Sequence, residues 1–185
     1  MKRVALVIPD SGPLISLGRA DRLDLLLLLD LPIYLVDQVA LEATRSPHHE
    51  DAARIRAFIE GNPDRVRVVT TFVGTAAAAA RRRRPGRRQR GLGEAAIAEF
   101  YSRIDEFIDP DEPVLVLFED SDVRRITALI RGNVHLLSTW GLLKGMEEVE
   151  LIESAEAIWQ AIIGAGRKPA KIATDQAAAA YGGST

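Results

Sequence analysis

Four acidic residues stand where an apolar run ends or a helical pattern begins: Asp10, Glu42, Glu94 and Asp120. Asp10 closes the apolar run at 4–8, and Asp120 closes the run at 114–118. Glu42 falls one turn into a segment opened by Asp37, and Glu94 opens the pattern Gly93-Glu-Ala-Ala-Ile97. In an open α/β sheet the strand carboxyl ends and the helices that follow them share one rim, and ligands bind there. Carboxylates converging on such a rim repel each other unless a cation sits between them. Hard oxygen donors in a chain without cysteine suit Mg²⁺ or Mn²⁺. The chemistry such a site supports is metal-assisted cleavage of a phosphodiester.

Each acid also has a plainer reading, as a helix cap, a turn former or a solvated helix residue. Position weighs against that reading for two of them. Glu94 lies three residues before Ile97 and so extends the apolar stripe of its helix, where a carboxylate is costly unless paired, protonated or on a metal. Asp10 ends a run that is apolar at nearly every position, which implies a strand buried on both faces. The fourth position is ambiguous, because Glu119, Asp120 and Asp122 crowd together. Alternation along a strand sends Glu119 and Asp120 to opposite sides, and the strand-end position favours Asp120.

The apolar pattern also predicts the elements that hold these acids. Strands are expected at 4–8, 33–36, 66–71, 114–118 and 134–137. Ser11 suits an N-cap and Pro13 the first turn of the helix after strand one. Further helices are expected at 20–29, 37–44, 50–59, 76–80, 92–108, 121–131, 139–146 and 155–163. The helix at 92–108 rests on Ile97, Phe100, Ile104 and Phe107, which repeat at three and four. Strands alternating with helices imply an α/β fold with a mostly parallel sheet of about five strands, flanked by helices in three layers. We expect one domain over 1–167, with an Ala- and Arg-rich helix and mobile basic loop inserted at 76–91, and a loosely held tail from 168 to 185.

Net charge is only −2, but its distribution is uneven. Arg81, Arg82, Arg83, Arg84, Arg87, Arg88 and Arg90 fall within ten residues, leaving 17 basic residues against 26 acidic ones elsewhere. A flexible basic loop just before Glu94 would reach the acidic rim and grip RNA phosphates; a solvated loop without a ligand is the alternative. The absence of cysteine excludes disulfides, zinc–thiolate sites and iron–sulfur clusters and fits the cytoplasm. The leucines at 25–29 are too few to cross a bilayer, so no membrane partner is expected. No phosphate-binding GxxxxGK[ST] loop, GxSxG elbow or HExxH motif is present. His48 and His49 sit in a Pro-marked turn and are expected in solvent. Trp140 and Trp159 are expected in the core or an interface.

Five segments in order resemble the PIN domain family. They are Val7-Ile-Pro-Asp-Ser-Gly-Pro-Leu-Ile15, Val36-Asp-Gln-Val-Ala-Leu-Glu42, Gly91-Leu-Gly-Glu94-Ala, Phe118-Glu-Asp-Ser-Asp-Val-Arg-Arg125 and Leu137-Ser-Thr-Trp-Gly-Leu-Leu143. The resemblance spans about residues 4 to 163. It implies a PIN-like, Mg²⁺- or Mn²⁺-dependent endoribonuclease in which Asp10, Glu42, Glu94 and Asp120 are the catalytic acids. Asp122 is a further candidate ligand beside Asp10, Glu94 and Asp120. Ser11 and Thr139 would orient the acids. The resemblance further implies the toxin of a VapBC-type pair, an antitoxin protein as partner and a homodimer. A catalytically inactive module that binds RNA or a protein through the basic loop is the alternative.

Overall fold

The computed structural model describes residues 4–46, 48–84, 91–119 and 134–172. Among these lie five strands and eight α-helices: β1 (Leu6–Pro9), α1 (Ser11–Arg19), α2 (Asp24–Leu28), β2 (Ile33–Val36), α3 (Asp37–Thr44), α4 (Glu50–Gly61), β3 (Val66–Val69), α5 (Phe72–Arg83), α6 (Leu92–Ser102), β4 (Val114–Phe118), β5 (Val134–Ser138), α7 (Thr139–Glu148) and α8 (Ala155–Gly164). The strands form one sheet, ordered β3-β2-β1-β4-β5, and every pairing is parallel. All residues of β1, β2 and β4 are buried, as a sheet covered by helices on both faces requires. The fold is thus α/β, a three-layer sandwich whose sheet is fully parallel.

The strand order carries a functional consequence. The chain winds from β1 outward to β2 and β3, then returns to the other side of β1 to place β4 and β5. The reversal falls between β1 and β4, and connections leaving those two strands diverge and open a crevice at their carboxyl ends. Register brings Pro9 opposite Leu117, and the Asp10 amide donates to the Leu117 carbonyl at 2.9 Å. The residues that follow β1 and β4 are therefore neighbours at the switch point.

Several boundaries differ from the local pattern, each for a tertiary reason. The helix expected at 20–29 shortens to Asp24–Leu28 because Asp21 takes a left-handed φ of 55°. The single helix expected at 92–108 stops at Ser102, and a 3-10 turn follows at Ile104–Glu106. In a straight helix Phe100 and Phe107 would lie about 10 Å apart along the axis. The break at Arg103 brings their ring centroids to 5.1 Å and sets Phe107 edge-on to Tyr34 at 5.5 Å. Packing these three rings together outweighs continuing the helix.

The Ala-rich helix is longer than expected at both ends, running from Phe72 to Arg83. Its first turn is secured from outside. Thr71 caps Gly74, and Glu99 on α6 accepts from the Phe72 and Val73 amides at 2.7 and 2.8 Å. Arg81, Arg82 and Arg83 are consequently helical residues of its last turn, not part of a loop. The helix predicted at 121–131 lies outside the described residues. Among the described residues no helix is long and apolar enough to cross a membrane.

Candidate functional site

Asp10 sits in the slot just before α1, in extended conformation, yet its side chain does not cap that helix. The carboxylate instead lines a cavity of about 490 Å³ at the carboxyl edge of the sheet, together with Ser11, Glu42, Glu94, Glu119 and Arg167. Four carboxylates from four parts of the chain thus share one concavity. Taken as whole residues, Asp10 is the most buried of the four, at 9% exposure. Its carboxyl is pushed up to about 7, chiefly by burial, with the charges of Glu94, Glu42 and Glu119 adding to the rise and the Ser11 amide opposing it.

Glycines make the convergence possible. A Cβ on Gly93 would lie 3.4 Å from Glu42 Oε2 and 4.0 Å from Asp10 Oδ1, so the bare backbone at the start of α6 leaves the gap between these acids open. A Cβ on Gly12 would meet Glu119 Cβ at 3.0 Å. The glycine preceding Glu94 in the sequence therefore has a spatial purpose across the cavity, toward α3 and β1.

Glu119 is the acid that alternation set aside, and it faces the cavity. Three side chains hold it. Thr139, which opens α7 beyond β5, donates to Oε1 at 2.8 Å. Ser16, wholly buried in α1, donates to Oε2 at 3.0 Å. Arg167 donates through Nη2 to the same oxygen at 2.7 Å and through Nε to Ser16 at 3.1 Å. The side-chain exposure of Glu119 is 7%, so this charge is compensated inside the protein. Thr139, expected to orient one of the acids, hydrogen-bonds Glu119. Ser11 lines the cavity and acts on Asp10 through its backbone amide.

Asp120 and Asp122 lie outside the described residues, as do Arg87, Arg88 and Arg90. Of the basic run, Arg81 bonds to the Gln38 side chain of α3 at 3.2 Å, one turn from Glu42. Arg82, Arg83 and Arg84 are exposed beside it. The basic end of α5 is thereby fixed to the helix that carries Glu42. Among the described residues no three acids or histidines are grouped closely enough to hold a metal ion. His49 is exposed, and Trp159 is buried edge-on to Trp140 with ring centroids 5.2 Å apart.

Sequence reasoning missed Arg167, which marked the expected end of the domain. No local signal identifies it, since its partners lie 48 and 151 residues away. The chain from 168 to 172 also departs from the expected loose tail. Lys168, Pro169, Ala170 and Ile172 line the cavity, and the Ile172 carbonyl accepts from Ser138 at 2.6 Å. No family model matches this chain, and no curated protein does.

Proposed function

We propose that this protein is a PIN-like, Mg²⁺- or Mn²⁺-dependent endoribonuclease whose reaction centre is the acidic cavity at the sheet's switch point. One observation carries the reading: a buried Asp10 sharing one cavity with Glu94, Glu42 and Glu119, its carboxyl pushed up to about 7. Such crowding destabilises the fold unless a ligand relieves it, and the donors are hard oxygens suited to these cations. A bound divalent cation would supply charge relief at the phosphoryl oxygen and an activated nucleophile at neutral pH.

The chain's own residues then divide the work. Asp10 and Glu94 would hold the cation with Glu119, which Thr139 and Ser16 keep aimed into the cavity. Asp120 and Asp122 stay in the proposed ligand set. The described acids form no ready cage, so they would have to move closer to one another to hold a cation together. Glu42, on the far side of the Gly93 gap, would complete the acidic set. Arg81 to Arg84, anchored through Gln38, would bind RNA phosphates running past Glu42. A toxin role with an antitoxin partner and a homodimer in the cytoplasm belong to the same proposal.

A second reading is consistent with the lack of a metal cage among the described residues: an inactive module of the same fold that binds RNA through its basic helix end. Incubation of the protein with a mixed RNA pool and Mn²⁺ or Mg²⁺, beside Asp10→Asn and a chelator control, decides between them. Cleavage abolished by both controls is the expected result. Salt-sensitive RNA retention without cleavage, and without any Mn²⁺-dependent rise in melting temperature, establishes the module.

A further inference from the structure

After α8 the chain turns through Gly166, which has a left-handed φ of 83°, and runs back across the carboxyl edge of the sheet. Its side-chain attachments are mostly polar, with Ile172 alone packed against the apolar core. Arg19 holds the Ala165 carbonyl at 3.3 Å, and Ser138 holds that of Ile172 at 2.6 Å. Lys171 pairs with Glu156 at 2.6 Å and lies 4.2 Å from the Trp140 ring centroid. Between these ends Arg167 reaches into the cavity and pairs with Glu119 at 2.7 Å.

Two features separate this segment from ordinary packing. Its residues 168–171 are mostly exposed and add almost nothing to the apolar core. Yet its one inward charge is spent on the best-oriented acid of the cavity. A guanidinium on a carboxylate satisfies the same oxygen lone pairs that a divalent cation needs. Ser16 and Arg167 together take both lone pairs of Glu119 Oε2, so a cation reaches that atom only by displacing one of them.

We propose that residues 165–172 form a strap that closes the acidic cavity, with Arg167 as its latch on Glu119 and a divalent cation as the agent that displaces it. This rests on the metal-dependent reading above. In the closed state Arg167 is the resident cation and Oε2 of Glu119 is withheld. Displacement of Arg167 frees Glu119 to join Asp10 and Glu94, and swings the strap, with the exposed Lys168, off the cavity mouth. The hinge is Gly166, whose backbone conformation other residues adopt at a cost. Binding of the cation and opening of the strap are one linked equilibrium, so each must change the other by the same factor.

The test uses the full chain, with Mn²⁺ alone as probe, and reads amide hydrogen exchange over 165–172 together with Mn²⁺ affinity. Arg167→Gln should exchange about tenfold faster in the strap without metal, the equivalent of one lost charge-assisted hydrogen bond. It should bind Mn²⁺ about tenfold more tightly than wild type, by the same linkage. Mn²⁺ should accelerate strap exchange in the wild type. Lys171→Ala, which touches no cavity acid, should shift both readouts in the same direction by less, and it carries the test should Arg167→Gln fail to fold.

Strap exchange in Arg167→Gln equal to wild type overturns the latch. Equal Mn²⁺ affinity in wild type and both variants also overturns the strap while leaving the metal site standing. Absence of Mn²⁺ binding from every form, with the strap visibly loosened, overturns the displacement together with the metal-dependent reading itself.

Discussion

Gly12 lies so close to Glu119 that a methyl group on it would sit 3.0 Å from Glu119 Cβ and 3.2 Å from Oε2. The first turn of α1 and the end of β4 are in contact through the absence of a side chain. Alanine within a helix would ordinarily gain about 0.5–1 kcal/mol over glycine. Here Gly12→Ala should instead lose about 1 kcal/mol, because Glu119 must give way within a packed site. Denaturant midpoints and a Mn²⁺ titration check this. A stabilised variant with unchanged Mn²⁺ affinity refutes the contact.

Gly93 offers the complementary case. Its added methyl would make ordinary contacts at 3.4 Å or more, while filling the gap between Glu42 and Asp10. Gly93→Ala should therefore keep or slightly raise the melting temperature and yet lower Mn²⁺ affinity by about tenfold, the loss of one good interaction. Calorimetry of both properties on one sample separates this result from simple misfolding.

Asp10 makes stability depend on pH in a defined direction. Its folded-state pKa of about 7 exceeds its ordinary value of 3.8, so the folded chain holds its proton more tightly than the unfolded chain. Stability from this group is full below the unfolded value, falls as pH rises between the two, and levels off above about 7. The shift corresponds to a penalty on the order of 4 kcal/mol when Asp10 is ionised. Asp10→Asn should be more stable than wild type at pH 8, with the gap closing toward pH 4. Mn²⁺ should narrow the same gap by stabilising the wild type, more at pH 8 than at pH 6, because the cation needs the ionised carboxylate. Thermal melts across that range give the answer, and a gap independent of pH would falsify the assignment.

Gly74 tests the scaffold rather than the site. Asp37 accepts from the Thr71 hydroxyl at 2.8 Å and from its amide at 3.2 Å, and Thr71 caps Gly74. A Cβ on Gly74 would overlap Asp37 Oδ2 at 1.9 Å. Gly74→Ala should cost about 2–4 kcal/mol, since either the helix or the half-buried, hydrogen-bonded carboxylate must move. The loss should appear first as faster hydrogen exchange in α5, loosening Arg81 from Gln38 and weakening RNA retention in a filter assay.

The order of elements, the buried central strands and the place of Asp10 at a strand end were all legible along the chain. They follow from local periodicity and composition, as do the helix over the Ala-rich stretch and the apolar stripe that draws Glu94 inward. These patterns report what one segment must bury, and they do not need to know its neighbours. Which segments become neighbours is another matter. The order β3-β2-β1-β4-β5, which sets Asp10 beside the end of β4, is settled by packing whole layers together. So is the choice of Glu119 as the acid that Thr139 and Ser16 orient, because Thr139 is placed by the pairing of β4 with β5 and Ser16 by the packing of α1 against β4. The break of α6 at Arg103 is a local preference overruled by three aromatic rings. Arg167 is the extreme instance: its meaning lies wholly in partners far along the chain, and only the closed tertiary structure brings that guanidinium to the acid it neutralises.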